Sequence, residues 1–272
     1  ANRCGPGTRA YALGCCLLTQ LARVGTVLFG VSLGLSALTG WSVPVIIVAG
    51  GIAVTVYTLI GGIAAVIWTD VIQSLVLLVG ALVITGLLLA NHPHGPGEAL
   101  HIAANEGKFS LGSFGLDLTQ STFWVVFLYG VFINLNNFGI DQSFVQRYHA
   151  ARDEKAAARS VWTGALLYVP VAALFFLIGS LLFSYYHVSP ELLKPLVTQY
   201  PDGHADKVLP HFIATQLPPG VAGLLIAAIF AAAMSSIDTS LNSAATVTLK
   251  DFVQRHLNRG KTEADAMRIL RN

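Results

Sequence analysis

The sequence predicts an all-α membrane protein with six spanning helices, and three observations carry that prediction. Hydrophobic residues make up 54% of the chain and charged residues 11%, about half the charge of an ordinary soluble domain. The apolar residues gather in blocks of the roughly 20 that one bilayer crossing needs. Three acids and an arginine, Asp70, Asp141, Asp238 and Arg23, lie within or at the ends of these blocks. A charge at membrane depth is costly and usually marks an ion or substrate path. A closed β-barrel is excluded, because the blocks are too long and do not alternate in polarity.

The spans are expected at about 10–38, 43–66, 67–90, 119–146, 160–186 and 219–249. In the first, Gln20 and Arg23 lie three apart, on adjoining faces of one helix. Cys15 and Cys16 are read as packing residues there. The second ends in YTLIGGIAAVIWTD, where Gly61–Gly62 is expected to break one helix and start the next with almost no loop. Asp70 then sits near the start of span three, with Gln73 one turn on. A loop rich in Pro, Gly and His follows over 91–118, in which His92 and His94 are read as solvated.

Span four is polar at its centre, with Asn134, Asn136, Asn137, Asp141, Gln142 and Gln146. So many amides are expensive against lipid, so they are expected to face the bundle interior. Asp141 is read as structural, pairing with Arg147 or holding the basic loop beyond it. Span five is nearly pure hydrophobe, with Pro170 expected to kink it. LPHFIATQLPPG reads as a short surface helix before span six.

Cations divide unevenly. Arg3, Arg9, Arg147, Arg152, Lys155, Arg159, Lys250, Arg255, Arg259, Lys261, Arg268 and Arg271 fall on one side, and Lys108, Lys194 and Lys207 on the other. The positive-inside rule then places both termini in the cytoplasm, and an even number of spans agrees. Neither a metal-binding spacing nor a disulfide framework is visible in the three cysteines, and no signal-peptide pattern opens the chain.

The strongest local signal is Ala232-x-x-Ser235-Ser236-x-Asp238-Thr239-Ser240-x-Asn242-Ser243. At 3.6 residues per turn, Ser235, Thr239 and Asn242 share one stripe, with Ser236, Ser240 and Ser243 beside it. Small hydroxyl residues let helices pack closely; equally, hard oxygens suit alkali cations. Asp238 tips the balance towards an ion site. Asp70 has its own structural reading, as a carboxylate at a helix N-terminus. Arg23 is either the structural partner of an acid or the receiver of a substrate carboxylate, which its planar fork fits.

With WTDVIQ, QRYHAARDEKAAARS and AAAMSSIDTSLNS in view, the chain resembles the sodium/solute symporter family, which includes bacterial sugar, proline and sialic acid transporters. Tyr57-Thr58-x-x-Gly61-Gly62 through Trp68-Thr69-Asp70-x-x-Gln73 fits its linked helix pair, Asp141-Gln142-x-x-x-Gln146-Arg147-Tyr148 its mid-chain motif, and Leu209-Pro210 through Asn242-Ser243 its sodium-site helix. The resemblance implies part of an inverted-repeat fold of five plus five helices, with sites near the midplane. It implies sodium-coupled symport of a small organic solute across the inner membrane, with no cofactor beyond Na⁺ as coupling ion and no nucleic-acid partner.

By motif position, the resemblance makes Ala232, Ser235 and Ser236 sodium-site residues and ties Asp70 to sodium coupling. A second sodium site, as in sialic acid transporters, would draw on Asp70, Ser235, Asp238 and Thr239. Asp238 departs from the hydroxyl expected there, which either strengthens that site or replaces the ion by a proton. Arg23 sits where sialic acid transporters meet the substrate carboxylate. Asn134 matches a sugar-contacting position, and Asn137 replaces the sugar branch's gating tyrosine, which leans the reading towards an organic anion such as sialic acid. The chain covers the family's third to eighth core helices, so it reads as a fragment, inactive alone. The alternatives are a sugar or amino-acid symporter and the membrane module of a signalling protein. An intramembrane aspartyl protease is disfavoured, because no GxGD occurs and Asp141 follows Phe-Gly-Ile.

Overall fold

The structure is a computed structural model that describes residues 5–201 and 204–249. The expected cations at Arg3 and from Lys250 onward, and Cys4, lie outside the described residues. Among the described residues nine α-helices run in order: α1 (Pro6–Thr39), α2 (Val43–Ala90), α3 (Gly95–Asn105), α4 (Phe123–Gly139), α5 (Gln142–His149), α6 (Glu154–Val188), α7 (Lys194–Gln199), α8 (Val208–Gln216) and α9 (Pro219–Thr248). Five helical stretches are long and apolar enough to cross a membrane, or six if the bent pair α4–α5 counts as one span. The described residues form no strand.

The local sequence explains most boundaries. α1 starts with a proline in its first turn and ends at Gly40, whose φ of 74° is the left-handed C-cap that glycine adopts freely. α6 begins where the Asp153 carboxylate accepts the backbone N–H of Ala156 at 2.7 Å. It then runs through Pro170 as one helix of 35 residues.

Three features differ from expectation. α2 is one hydrogen-bonded helix of 48 residues, continuous through Gly61–Gly62. Even so, α2 cannot be one rod. Its length of about 72 Å is more than twice a hydrocarbon core. The Tyr57 hydroxyl also sits beside the Gln73 side chain. Sixteen residues of straight helix separate Cα atoms by about 24 Å, beyond the reach of two side chains, so α2 turns back on itself between these positions. It therefore still supplies two spans, Val43–Ile60 and Val66–Ala90.

The fourth expected span is the bent pair, with 45° between α4 and α5. Asp141 stands in the break with extended backbone, and its Oδ1 accepts the N–H of Ser143 at 2.8 Å. A helix N-terminus leaves such donors unsatisfied, so this carboxylate starts α5. Its reading as structural holds, in the form of a cap. In the loop after α2, the exposed position expected for His92 is wrong: the ring is 4% exposed.

The chain divides into two units, Ala1–Leu77 with Pro210–Asn272, and Leu78–Leu209. In the first, α1 packs along α9. Gln20 meets Ser243, while Leu28 and Ser32 line an apolar crevice with Phe230, Ala233 and Ile237. Residue numbers thus rise on α1 as they fall on α9, so the two helices are antiparallel. Small residues at Ser32, Gly50 and Ala233 line the same crevice and permit the close approach that drives helix association in lipid.

In the second unit, α3 packs on α6 through Ala99 and Ala103, both fully buried. The backbone N–H of His94 approaches His92 Nδ1 at 3.4 Å, so Nδ1 accepts. Nε2 then carries the proton and faces the buried Ser184 Oγ at 3.2 Å. The ring stands edge-on to Tyr185, centroids 6.5 Å apart. The sequence shows a polar residue in a Pro/Gly loop; it does not show the serine 92 positions away that buries it. His94 is exposed, as expected.

Candidate cation site

Helix α9 carries most of the site. Asp238 is fully buried, halfway along an apolar helix. Its Oδ2 accepts the Tyr57 hydroxyl at 2.5 Å, and the Thr239 hydroxyl lies 3.4 Å from Oδ1. One turn earlier on α9, the Ser235 hydroxyl donates to Asp70 Oδ1 at 2.5 Å. The two carboxylates are near enough to repel each other. Five residues are thereby brought together: Tyr57 and Asp70 from the two halves of α2, and Ser235, Asp238 and Thr239 from α9. The fold-back of α2 makes this possible, since it delivers both halves to less than two turns of α9.

Two polar atoms near this cluster lack partners. Gln73 Oε1 and Thr58 Oγ1 are buried without a hydrogen bond among the described residues, although both side chains lie beside the Tyr57 hydroxyl. An unpaired buried acceptor costs about 1–3 kcal/mol. Two carboxylates, neutral hydroxyls and an unused amide oxygen form a hard-oxygen environment of negative charge, which suits an alkali cation. No group of three or more His, Cys, Asp or Glu converges among the described residues.

The other proposed sodium-site residues lie on a neighbouring face of α9. Ser236 is exposed, and its hydroxyl points to the Ala232 carbonyl at 3.4 Å. Helix residues point about 100° apart per step, so the Ser236 side chain, two residues before Asp238, points about 200° away from it. Further along α9, Gln20 Nε2 on α1 meets Ser243 Oγ at 3.5 Å. Gln20 Oε1 and Ser240 Oγ are buried there without partners among the described residues.

The substrate residues fare differently. Arg23 is half-buried on α1, in the same unit as the cation cluster. Asn134 and Asn137 belong to α4 in the other unit. The expectation that the span-four amides face a bundle interior is not met. No residue of α4 is buried, and Asn134 is exposed with its Nδ2 bonded to the Gly130 carbonyl of its own helix at 2.7 Å. α5 is the element seen packing on α4, and Asn134 meets its hydrogen-bonding need along its own helix. The sequence reading passed over Tyr57 as a site residue. A phenol in an apolar run needs a partner for its hydroxyl when buried, and that is the signal that points to it.

The model of the Sodium:solute symporter family matches residues 8–271. The sodium/sialic acid symporter SiaT of Proteus mirabilis is 36% identical over 250 residues, which cover 91% of this chain and 49% of that protein. The sodium-dependent multivitamin transporter of Oryctolagus cuniculus is 35% identical over 240 residues, 85% of this chain and 36% of that protein. A solved Na⁺-coupled sialic acid symporter, substrate-bound and outward-open with a novel Na⁺ site, superposes with a TM-score of 0.90 at 35% identity, covering 98% of this chain and 55% of that one. The chain thus spans about half the length of these relatives or less. On the family match and the likeness in fold, the chain belongs to the sodium:solute symporter family and is a multi-pass membrane protein.

Proposed function

We propose that this chain forms part of a sodium-coupled symporter of a small organic solute, a carboxylate such as sialic acid. The observation that carries the reading is the cluster of half-buried Asp70, Ser235 and Thr239 around the fully buried Asp238, on facing membrane helices. Hard oxygens with negative charge at that depth have no packing rationale as economical as binding a cation. Ala232, Ser235 and Ser236 supply a further sodium site on α9. Arg23 meets the solute carboxylate, and Asn134 and Asn137 contribute contacts from α4. The protein sits in the inner membrane with both termini of this segment cytoplasmic, as the distribution of Lys and Arg implies.

Coupling follows from population shift. Sodium and solute must favour the same state, so that each raises the other's affinity by the same factor. One sodium moving inward contributes about 2.3 kcal/mol per 100 mV of membrane potential.

The test uses the full-length protein in proteoliposomes, with sialic acid uptake measured with and without an inward sodium gradient. Uptake that requires the gradient and is lost in Arg23→Ala is the expected result. Gradient-independent uptake overturns the symport reading. Gradient-driven uptake of other solutes without sialic acid removes the substrate assignment alone.

A further inference from the structure

We propose that Tyr57 is a positioning residue of the cation site, acting through Asp238; the inference rests on the sodium reading of the cluster. A hydroxyl would be a neutral ligand at position 238. A carboxylate there has two oxygens and a full charge, and it faces Asp70 across the same space. Left to rotate, it would be pushed away from Asp70 whenever the cation leaves. The Tyr57 hydroxyl prevents that by donating to Oδ2 at 2.5 Å. A hydrogen bond to a charged oxygen is among the strong ones, and it fixes the plane of the carboxylate. Oδ1 is thereby turned towards Thr239, whose hydroxyl stands 3.4 Å away, and becomes the oxygen offered to the ion. Tyr57 is itself held in place. Gln73 and Thr58 flank its hydroxyl, and Gln73 follows Asp70 by one turn of the same helix half. Tyr57 thus joins the two halves of α2 to α9 and ties the orientation of Asp238 to the fold-back that brings Asp70 to Ser235.

The arrangement predicts an interaction between two side chains that a packing role would not produce. The readout is sodium-dependent thermal stabilisation of the full-length protein in detergent, titrated with NaCl against choline chloride at constant ionic strength. Tyr57→Phe keeps the ring and removes the donor. It should raise the sodium concentration for half-maximal stabilisation by about tenfold, the loss of one hydrogen bond to a charged group. In an Asp238→Ser background the same change should produce no further shift. Asp238→Asn serves as the second background if the serine variant does not fold, as judged by its sodium-free melting. An equal shift in both backgrounds, or none in either, overturns the inference. The sodium reading is checked separately by the wild type and by Ser235→Ala. If the wild type gains no stability from sodium, that reading falls and takes this one with it. If the wild type responds and Ser235→Ala weakens the response, a failed Tyr57 result condemns the positioning role alone.

Discussion

At the scale of single residues, what decides a role here is the partner across space. Asp70 and Asp238 stand out in the sequence because a carboxylate in an apolar run has few reasons to exist. Ser235 and Thr239 were legible too, as hydroxyls on one helical stripe with an acid among them. Tyr57 and His92 were not, since each takes its meaning from a residue far along the chain: Asp238 for one, Ser184 for the other. His92 gives a direct test. Ser184 Oγ is fully buried and faces the imidazole, so His92→Ala leaves a hydroxyl without that partner and opens a hole beside Tyr185. The expected loss is about 1–3 kcal/mol for the unsatisfied group, read as a lowered melting temperature in detergent. An unchanged melting point would show that the histidine does not anchor the loop after α2. Serine at position 240 should behave in the opposite way. Its buried hydroxyl has no partner among the described residues, so Ser240→Ala should leave the melting temperature level or higher.

At the scale of elements, spans one, three, five and six emerged from hydropathy close to their observed bounds, because one long apolar run has one low-energy solution in lipid. Breaks were harder to read, since they depend on how backbone hydrogen bonds are re-satisfied. Gly61–Gly62 suggested one helix ending and the next starting with almost no loop; α2 does turn back between Tyr57 and Gln73, with no loop residue between its halves. The real interruption fell at Ile140–Asp141, where a carboxylate replaces the missing intrahelical acceptor. Asp141→Ala removes that cap and should cost about 1 kcal/mol, seen as faster amide hydrogen exchange in the first turn of α5 with α6 unaffected. The loop before α4 holds a pH-sensitive turn. Asp117 Oδ1 accepts both the hydroxyl and the backbone N–H of Thr119, and these two bonds hold its carboxyl below the ordinary 3.8. A depressed carboxyl stabilises the turn above the ordinary value and ceases to as pH falls through the depressed one. Protection of the Thr119 amide should therefore be constant near neutrality and fall in acid below 3.8. Asp117→Asn should remove that pH dependence.

At the scale of the whole molecule, the oxygens on α9 fall into two groups that one helix keeps apart. Round the helix, Asp238 and Ser235, the latter bonded to Asp70, stand at one end of the arc and Ser236 with the Ala232 carbonyl at the other, with Thr239 between them. The first group carries two carboxylates, and the second is neutral. Ser236 and Asp238 are two residues apart, about 200° round the helix, so their side chains diverge and one small cation does not reach both. Under the proposed symport function, two sodium ions per solute is the expected count. The energetic consequence is large: a second coupled sodium adds about 2.3 kcal/mol per 100 mV, close to a fiftyfold increase in the solute gradient that the membrane potential sustains. Simultaneous sodium and sialic acid flux, measured in proteoliposomes of the full-length protein, should give a ratio near two. Ser236→Ala and Asp70→Asn should each lower it towards one, because each removes one site and leaves the other. A wild-type ratio near one would mean that a single face of α9 binds the coupling ion. The variant that then abolished coupling altogether would identify which face it is.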